Sequence, residues 1–224
     1  MAIHFGFLVF PNVQQLDLTG PYEVFASVPG ANVHLAWKDR RAVMSATGLP
    51  LTPTTTFGEC PVLDVLCVPG GVGVNALLED AETLAFVRAH AARVRYLTSV
   101  CTGSLVLGAA GLLNGRRATT HWFSHDFLAR FGAVPVHARV VRDGNLITAG
   151  GVTAGIDFAL TVVAELAGRE QAETIQLTLE YAPEPPFRAG TPDEAPPAVL
   201  AQAKARMAPG RAAREKIIGR LVGG

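Results

Sequence analysis

The sequence has 224 residues, a length that suits one large α/β domain better than two small ones. Hydrophobic residues make up 49% of the chain and charged residues 17%, which is typical of a well-buried globular protein and excludes a disordered one. Lysine plus arginine equals aspartate plus glutamate, 19 against 19, so no overall field draws the chain to nucleic acid or to an anionic membrane.

The predicted elements alternate between buried strands and helices. Ile3 to Phe10 predicts the first strand, and after a loop that holds Asp17 a helix is predicted to open at Pro21. The other predicted strands are 33–37, short hairpin strands within 43–56, 64–68, 95–100, 116–120, 139–142 and 146–148, and the other predicted helices are 81–92, 102–110, 124–131 and 153–167. This alternation predicts a mostly parallel central sheet with helices on both faces.

The C-terminal part differs in composition from the rest. Residues 183–197 contain six prolines and cannot form a helix or a central strand, and a last helix is predicted from Ala198 to about Leu221. We therefore expect an α/β catalytic domain over 1–182, followed over 183–224 by a proline-rich arm and a helix that packs on the domain or on a dimer partner. The mixed segment from Arg211 to Lys216 is interpreted as a solvated helix face.

Cysteine usage and apolar patterning bear on location. The three cysteines, Cys60, Cys67 and Cys101, show neither a disulfide framework nor zinc-ligand spacing. The N-terminal residues lack the basic flank of a signal peptide, and glycine, threonine or aspartate interrupts every apolar stretch before membrane-spanning length. We expect a cytoplasmic protein without a metal site and without nucleic-acid or membrane partners.

The segment around Cys101 carries the clearest chemical signal. A strand of β-branched residues, Leu97 to Val100, ends directly at Cys101, and the small residues after it let a helix begin at once. Such a turn places a side chain at the carboxyl edge of the sheet, and the helix start is expected to favour thiolate over thiol. An inert buried thiol is the alternative for a free cysteine, but the flanking pattern favours a nucleophile.

Other residues are candidates for the same edge of the sheet. The glycine pairs Gly70-Gly71 and Gly150-Gly151 follow predicted strands, where their N–H groups are expected to face a negative centre. Asp17 is either a helix N-cap or a proton donor and acceptor beside the thiol. His121 follows another strand end, although pairing with the backbone or a neighbouring strand is the favoured interpretation of its role.

Four segments together resemble a known family: SVCTGSLVLGAAGLL, the PGG turn, RATTHW and GGVTAGIDFAL. They are similar over nearly the whole chain to the ThiJ/PfpI superfamily, relatives of the class I glutamine amidotransferases. This resemblance implies a flavodoxin-like three-layer sandwich with a nucleophile elbow. Within the superfamily, LDLTGP with Asp17, the Cys101-Thr102 pair and the EYAPEPPF tail most resemble the isocyanide hydratases.

The resemblance also implies a reaction and a set of site residues. It implies a cofactor-free homodimer that adds water to an isocyanide and gives an N-substituted formamide. Cys101 would be the nucleophile that forms a thioimidate and Asp17 the general acid and base. The residues expected to bind substrate and intermediate are Gly71, Thr102, Gly150 and Val152.

Two alternatives remain open. The same motifs resemble the N-terminal domain of AraC-type regulators, so a metabolite sensor without catalytic activity is possible. We expect no DNA binding, because only one helix follows the arm and no basic recognition segment is present. A cysteine hydrolase or glyoxalase is the second alternative, although Thr102 stands where those enzymes generally carry histidine.

Overall fold

The structure is a computed structural model that describes residues 2–223. The strands are β1 (Ile3–Leu8), β2 (Ala31–Trp37), β3 (Val43–Met44), β4 (Pro50–Leu51), β5 (Thr55–Thr56), β6 (Val65–Val68), β7 (Tyr96–Val100), β8 (Arg117–Ala118), β9 (Val134–Pro135), β10 (Val140–Asp143) and β11 (Leu146–Ala149). The helices are α1 (Gln15–Ala26), α2 (Val74–Leu77), α3 (Ala81–Ala91), α4 (Gly103–Ala109), α5 (Phe127–Arg130), α6 (Ala154–Ala167), α7 (Arg169–Thr178) and α8 (Pro197–Val222), with a 3₁₀ turn at Trp122–Ser124.

A seven-stranded sheet forms the centre of the molecule. Its strand order is β10-β11-β7-β6-β1-β2-β5. Every neighbouring pair is parallel except β10 and β11, which pair antiparallel. The predicted mostly parallel sheet is therefore confirmed, and the carboxyl ends of β1, β6, β7 and β11 meet at one edge of it.

Helices cover both faces of the sheet and make three layers. Alternate residues of β1 point to opposite faces, as the period of a strand requires. Phe5 and Phe7 join the core beneath α1 and α6, and the Phe5 ring stacks on Phe25 with centroids 4.3 Å apart. Leu8 and, just beyond the strand, Phe10 join the opposite core, beneath α3 and α4. The predicted three-layer α/β sandwich is confirmed.

The first helix starts earlier than predicted. It begins at Gln15, so Asp17 lies in its first turn and not in a preceding loop, and Pro21 lies inside the helix. Proline has no N–H, so the Asp17 carbonyl loses its usual partner four residues on. At this missing hydrogen bond α1 packs closely on α6: a Cβ on Gly155 of α6 would lie only 3.0 Å from Pro21 Cδ. The expectation that Pro21 opens the helix is wrong because tertiary packing overrides the local preference.

Other segments also differ from the sequence prediction. Helix α7 follows α6 directly through Gly168, whose φ of 92° lets the chain turn, and no helix was predicted there. The helix predicted at 124–131 is only the short α5, preceded by the 3₁₀ turn. Helix α7 buries only Ala172 and Ile175 among many polar residues, and α5 spans only four residues, so neither offered a long apolar pattern from which to predict its bounds.

The C-terminal segment folds back onto the α/β body of its own chain. Residues 183–196 contain neither helix nor strand, and α8 then begins at Pro197, a position that proline favours. Helix α8 packs against α2, α5 and the 3₁₀ turn, and Arg220 pairs with Glu79 at 2.9 Å. The domain boundary at residue 182 stays a prediction. Across residues 2–223, no helix combines the length and the apolar character that a membrane crossing needs.

Candidate active site

Cys101 occupies a sharp turn between the end of β7 and the start of α4. Its φ of 56° lies in the left-handed region that residues other than glycine rarely adopt. The Cys101 N–H donates to the Ala149 carbonyl at 3.0 Å, and the Cys101 carbonyl accepts from the Thr120 hydroxyl at 2.8 Å. Glycine is needed two residues further on, at Gly103, because a Cβ there would collide with the Val68 carbonyl oxygen. The surrounding structure thus holds a strained turn in place, as functional sites often do.

Asp17 brings a carboxyl group to the same place from α1. Its side chain is fully buried, and its Oδ2 accepts the Gly70 N–H at 2.8 Å. Its Oδ1 is also buried and has no geometric hydrogen-bond partner among the residues that the structure describes. A carboxyl group in such a position is costly to ionise, which suits a group that has to hold and return a proton.

Burial controls the ionisation of this pair. It raises the pKa of Asp17 to about 7, against the opposing effects of the Gly70 N–H and the Cys101 thiol. Burial also raises the pKa of the Cys101 thiol well above its ordinary value, and the Asp17 carboxylate raises it further. The Thr102 N–H and hydroxyl and the Arg214 guanidinium lower the thiol pKa. The expected acidification of Cys101 by the helix start is therefore outweighed by burial, and the two acids behave as a coupled pair.

The turn at Gly70 and Gly71 contacts this pair directly. A Cβ on Gly70 would lie 2.9 Å from Asp17 Oδ2 and 2.6 Å from the Thr102 nitrogen, so only glycine fits. The Gly71 N–H donates to the Thr102 hydroxyl oxygen at 3.1 Å. We expected this N–H to be free to face a negative centre; that expectation is wrong, because the bond to Thr102 occupies it.

A cavity of about 340 Å³ opens at Cys101. Phe123 and Val72 contribute apolar surface to it. The predicted site residues that line the cavity are Gly71, Cys101, Thr102 and Val152. Asp17 is fully buried and does not form part of the wall.

Gly150 is the predicted site residue that the structure places elsewhere. It lines a neighbouring cavity of about 480 Å³, and Val152 borders both cavities. The Gly150 N–H donates to the Arg139 carbonyl at 2.9 Å. It is therefore not free to bind an anion formed at Cys101, contrary to the expectation for this glycine pair.

His121 reaches the cavity but forms no dyad with the thiol. It lines the cavity wall, and its Nδ1 accepts the Phe123 N–H at 3.3 Å. Burial and the nearby positive charge of Arg214 lower its pKa to about 4, so the ring is neutral at pH 7. Within residues 2–223, no hydrogen bond joins His121 to Cys101, and the backbone pairing favoured from the sequence is what the structure has.

Sequence reasoning missed the contribution of α8. Arg214 on this helix is only 6% exposed, and it lines the cavity together with Met207. Its Nε donates to Asn75 Oδ1 at 2.9 Å, and its Nη1 donates to Ser124 Oγ at 2.8 Å. Met207 and Arg214 are seven residues apart, the spacing of one helix face, which is the signal that the sequence offered.

The interpretation of Arg211 to Lys216 as a solvated face is wrong for its two arginines. Arg211 donates to Asp126 Oδ2 at 2.7 Å, and its guanidinium lies 4.3 Å from the centre of the Phe127 ring. The other four residues of the segment are exposed as expected: Ala212, Ala213, Glu215 and Lys216. Long basic side chains bury their stems readily, which explains why a charge count misjudged this segment.

The described chain, residues 2–223, contains no cluster of three histidine, cysteine, aspartate or glutamate side chains that could hold a metal ion. The side chains at the cavity and directly behind its wall supply a thiol, a hydroxyl, a buried guanidinium and, from Asp17, a carboxyl group with a raised pKa. This set is suited to nucleophilic attack coupled to proton transfer.

Comparison with known proteins places this site in a family. Residues 5–165 match the model of the DJ-1/PfpI family. The chain is 64% identical over 217 residues to the isonitrile hydratase of Pseudomonas putida, covering 97% of this chain and 95% of that protein. It is 32% identical over 184 residues to the HTH-type transcriptional regulator GbdR of Pseudomonas aeruginosa, covering 79% of this chain and only 50% of the regulator.

Solved structures give the same result. A ThiJ/PfpI family protein from Pseudomonas syringae superposes with a TM-score of 0.94 at 48% identity, covering 98% of this chain and 91% of that one. DJ-1beta of Drosophila melanogaster superposes with a TM-score of 0.75 at 25% identity, covering 82% of this chain and 100% of that one. With its elbow cysteine and its match over residues 5–165, this chain belongs to the DJ-1/PfpI family.

Proposed function

We propose that this protein is an isocyanide hydratase, a hydro-lyase that adds water to a small-molecule isocyanide and gives an N-substituted formamide. The observation that carries the proposal is 64% identity, over nearly the whole of both chains, to a protein named isonitrile hydratase. The pairing of a nucleophilic thiol with a carboxyl group whose pKa is about 7 supplies the two groups that the reaction needs.

The first half-reaction joins substrate to protein. The Cys101 thiol proton passes to Asp17, and the sulfur attacks the terminal carbon of the isocyanide R–N≡C. Asp17 returns the proton to that same carbon, so a C–S and a C–H bond form and the product is the thioimidate R–N=CH–S. A carboxyl group with a pKa of about 7 can both accept and release this proton near neutral pH.

The second half-reaction adds water and releases the product. Ionised Asp17 takes a proton from water while the oxygen bonds to the thioimidate carbon, and the nitrogen receives the proton. The adduct R–NH–CH(OH)–S then loses its hydroxyl proton to Asp17 as the C–S bond breaks. The formamide R–NH–CHO leaves, and Cys101 and Asp17 again hold one proton between them. The sum is one isocyanide plus one water.

The roles of the remaining residues belong to the same proposal. Thr102 supports the thiol through its N–H and hydroxyl, and Val152 limits the volume available to the isocyanide substituent. Gly71 fixes Thr102 through the bond between its N–H and the hydroxyl oxygen. Gly150 acts indirectly, because it shapes the turn that leads to Val152.

The test is direct. Purified protein is mixed with an aryl isocyanide and formamide is followed by chromatography. We expect turnover by the wild type, its loss in Cys101→Ala and its loss in Asp17→Asn. Cys60→Ser, which changes a half-buried thiol outside the cavity, is the matched control and should turn over normally. A Cys101→Ala protein that still forms formamide at the wild-type rate would refute the mechanism.

A second candidate function is a metabolite-sensing domain without turnover. What favours it is 32% identity to half of a transcriptional regulator. Tight binding of a small molecule with no formamide produced would support the sensor over the hydratase. A cysteine hydrolase or glyoxalase is less favoured, because His121 is neutral and makes no hydrogen bond to Cys101 in the described part of the chain.

We further propose a homodimer that works in the cytoplasm. Two large apolar side chains that a partner could cover are exposed, Leu177 at 81% and Phe187 at 79%. A reducing compartment would keep the three cysteines free. Light scattering after size-exclusion chromatography tests the dimer, and a mass near that of one 23.6 kDa chain would contradict it.

A further inference from the structure

Arg214 is a buried cation that the proposed mechanism does not yet use. It is 6% exposed, and no carboxylate within residues 2–223 forms an ion pair with it. Leaving a charge buried without a counter-charge is strongly unfavourable. Such a residue needs a negative charge nearby for some part of its working cycle.

The guanidinium group is held in one orientation. Asn75 on α2 accepts from Nε at 2.9 Å, and Ser124 on the 3₁₀ turn accepts from Nη1 at 2.8 Å. The Nη2 group has no protein hydrogen-bond partner in the described chain, and the side chain lines the same cavity as Cys101. Two neutral acceptors therefore fix the position of the charge without cancelling it.

Among the charged groups that the structure describes around the cavity, Arg214 is the one placed to balance the negative charge of the Cys101–Asp17 pair. From α1 comes Asp17, and because its pKa is about 7 the Cys101–Asp17 pair gains a negative charge as pH rises through about 7. From the loop before the 3₁₀ turn comes His121, which is neutral. On α8 itself, Arg211 is already paired with Asp126. Arg206, also on α8, is exposed to solvent at the cavity rim.

We propose that Arg214 is a positioning residue whose fixed, unpaired charge makes the thiolate of Cys101 accessible by drawing the negative charge of the Cys101–Asp17 pair onto sulfur. Arg214 and Cys101 line the same cavity, whereas Asp17 is buried behind its wall, so the guanidinium faces the sulfur. Burial lowers the pKa of Arg214, while Cys101 raises it, and Arg214 in turn lowers the pKa of the Cys101 thiol. Arg214 therefore reduces the free-energy cost of moving the proton from sulfur to carboxyl.

This inference rests on the proposed nucleophilic role of Cys101, but its test needs no isocyanide. The rate of Cys101 alkylation by iodoacetamide is measured against pH in a Cys60→Ser background, which leaves Cys101 as the reactive thiol because Cys67 is fully buried in β6. Failure of hydratase turnover with a normal alkylation result would count against the proposed function alone.

Two variants cancel the effect of the Arg214 charge on the thiol in different ways. Arg214→Met deletes it, and Asn75→Asp neutralises it by giving the guanidinium an ion-pair partner of nearly the same shape. Both are expected to slow alkylation at neutral pH roughly tenfold, as the midpoint of the pH profile rises by about one unit. Arg214→Lys keeps the charge and should restore most of the rate. Arg220→Met, exposed on the same helix, is the control.

The results separate a charge effect from a structural one. Thermal melting by circular dichroism first establishes which variants are folded. Folded Arg214→Met and Asn75→Asp proteins that are alkylated with the parent's pH profile would overturn the proposal, as would an Arg214→Lys protein as slow as Arg214→Met. Asn75→Asp decides if Arg214→Met does not fold, because its arginine is intact; it gives up the hydrogen bond that Asn75 Nδ2 donates to the Gly210 carbonyl at 3.0 Å, so its own melting curve is compared with that of the parent.

Discussion

Asp17 makes the folded protein less stable at the pH where the site works, and Asp17→Asn should reveal this. The pKa of Asp17 is about 7 in the folded protein against an ordinary 3.8, so the folded state binds the proton more tightly than the unfolded state. The contribution of this group to stability is therefore fully present below about pH 4 and is lost as pH rises through about 7. The difference corresponds to about 4 kcal/mol.

The asparagine side chain does not ionise, so the variant escapes this loss. Its Oδ1 can still accept the Gly70 N–H that Asp17 Oδ2 accepts at 2.8 Å. An unpaired amide N–H would cost about 1–3 kcal/mol, but equally at every pH. The prediction therefore concerns a slope: the free energy of unfolding of Asp17→Asn relative to wild type rises by about 4 kcal/mol between pH 4 and pH 8.

Urea unfolding curves over this pH range, extrapolated linearly to water, measure the difference. Asp193→Asn, at an exposed position of the arm, controls for the general loss of one carboxylate. A difference between Asp17→Asn and wild type that stays constant from pH 4 to pH 8 would refute the reasoning, since it would mean that Asp17 ionises equally easily in both states.

Three further predictions concern the walls of the site. Gly103→Ala would push a Cβ into the Val68 carbonyl oxygen, and we expect a loss of stability of about 1–3 kcal/mol or more in urea unfolding, with reduced turnover. Thr102→Val leaves the Gly71 N–H without its acceptor, so we expect a loss of about 1–3 kcal/mol by the same assay, which Thr102→Ser should largely avoid. Val152→Phe fills part of the 340 Å³ cavity, and a fall in kcat/KM that is larger for bulky than for small isocyanides is the expected kinetic result.

The sequence predicted the elbow well because its determinants are local. A β-branched strand, one cysteine and then small residues fix where β7 ends and α4 begins, and Gly103 follows from the same pattern. The prediction of a free Gly71 N–H failed because its partner, the Thr102 hydroxyl, is 31 positions away in the chain. Asp17 does lie beside Cys101, while its role there stays a prediction. The sequence did not show that it sits in a helix, because the preference of proline for a helix start was overridden by packing between α1 and α6.

The ionisation of Cys101 and Asp17 was the property of the site that the sequence predicted least well. A helix start near a cysteine argues for an acidic thiol, yet burial of both Cys101 and Asp17 reverses that expectation.

Burial depends on every element that closes over the site, and the last of these is α8, whose arginines were interpreted as solvated. The same helix that completes the enclosure also carries Arg214, a buried group whose positive charge lowers the pKa of the thiol. Burial raises the free-energy cost of ionising the Cys101 thiol, and Arg214 lowers that cost. Truncating α8 would remove both contributions at once, and their effects on the thiol pKa have opposite signs. Single substitutions at Arg214 and Asn75 are therefore the way to measure its charge apart from its burial.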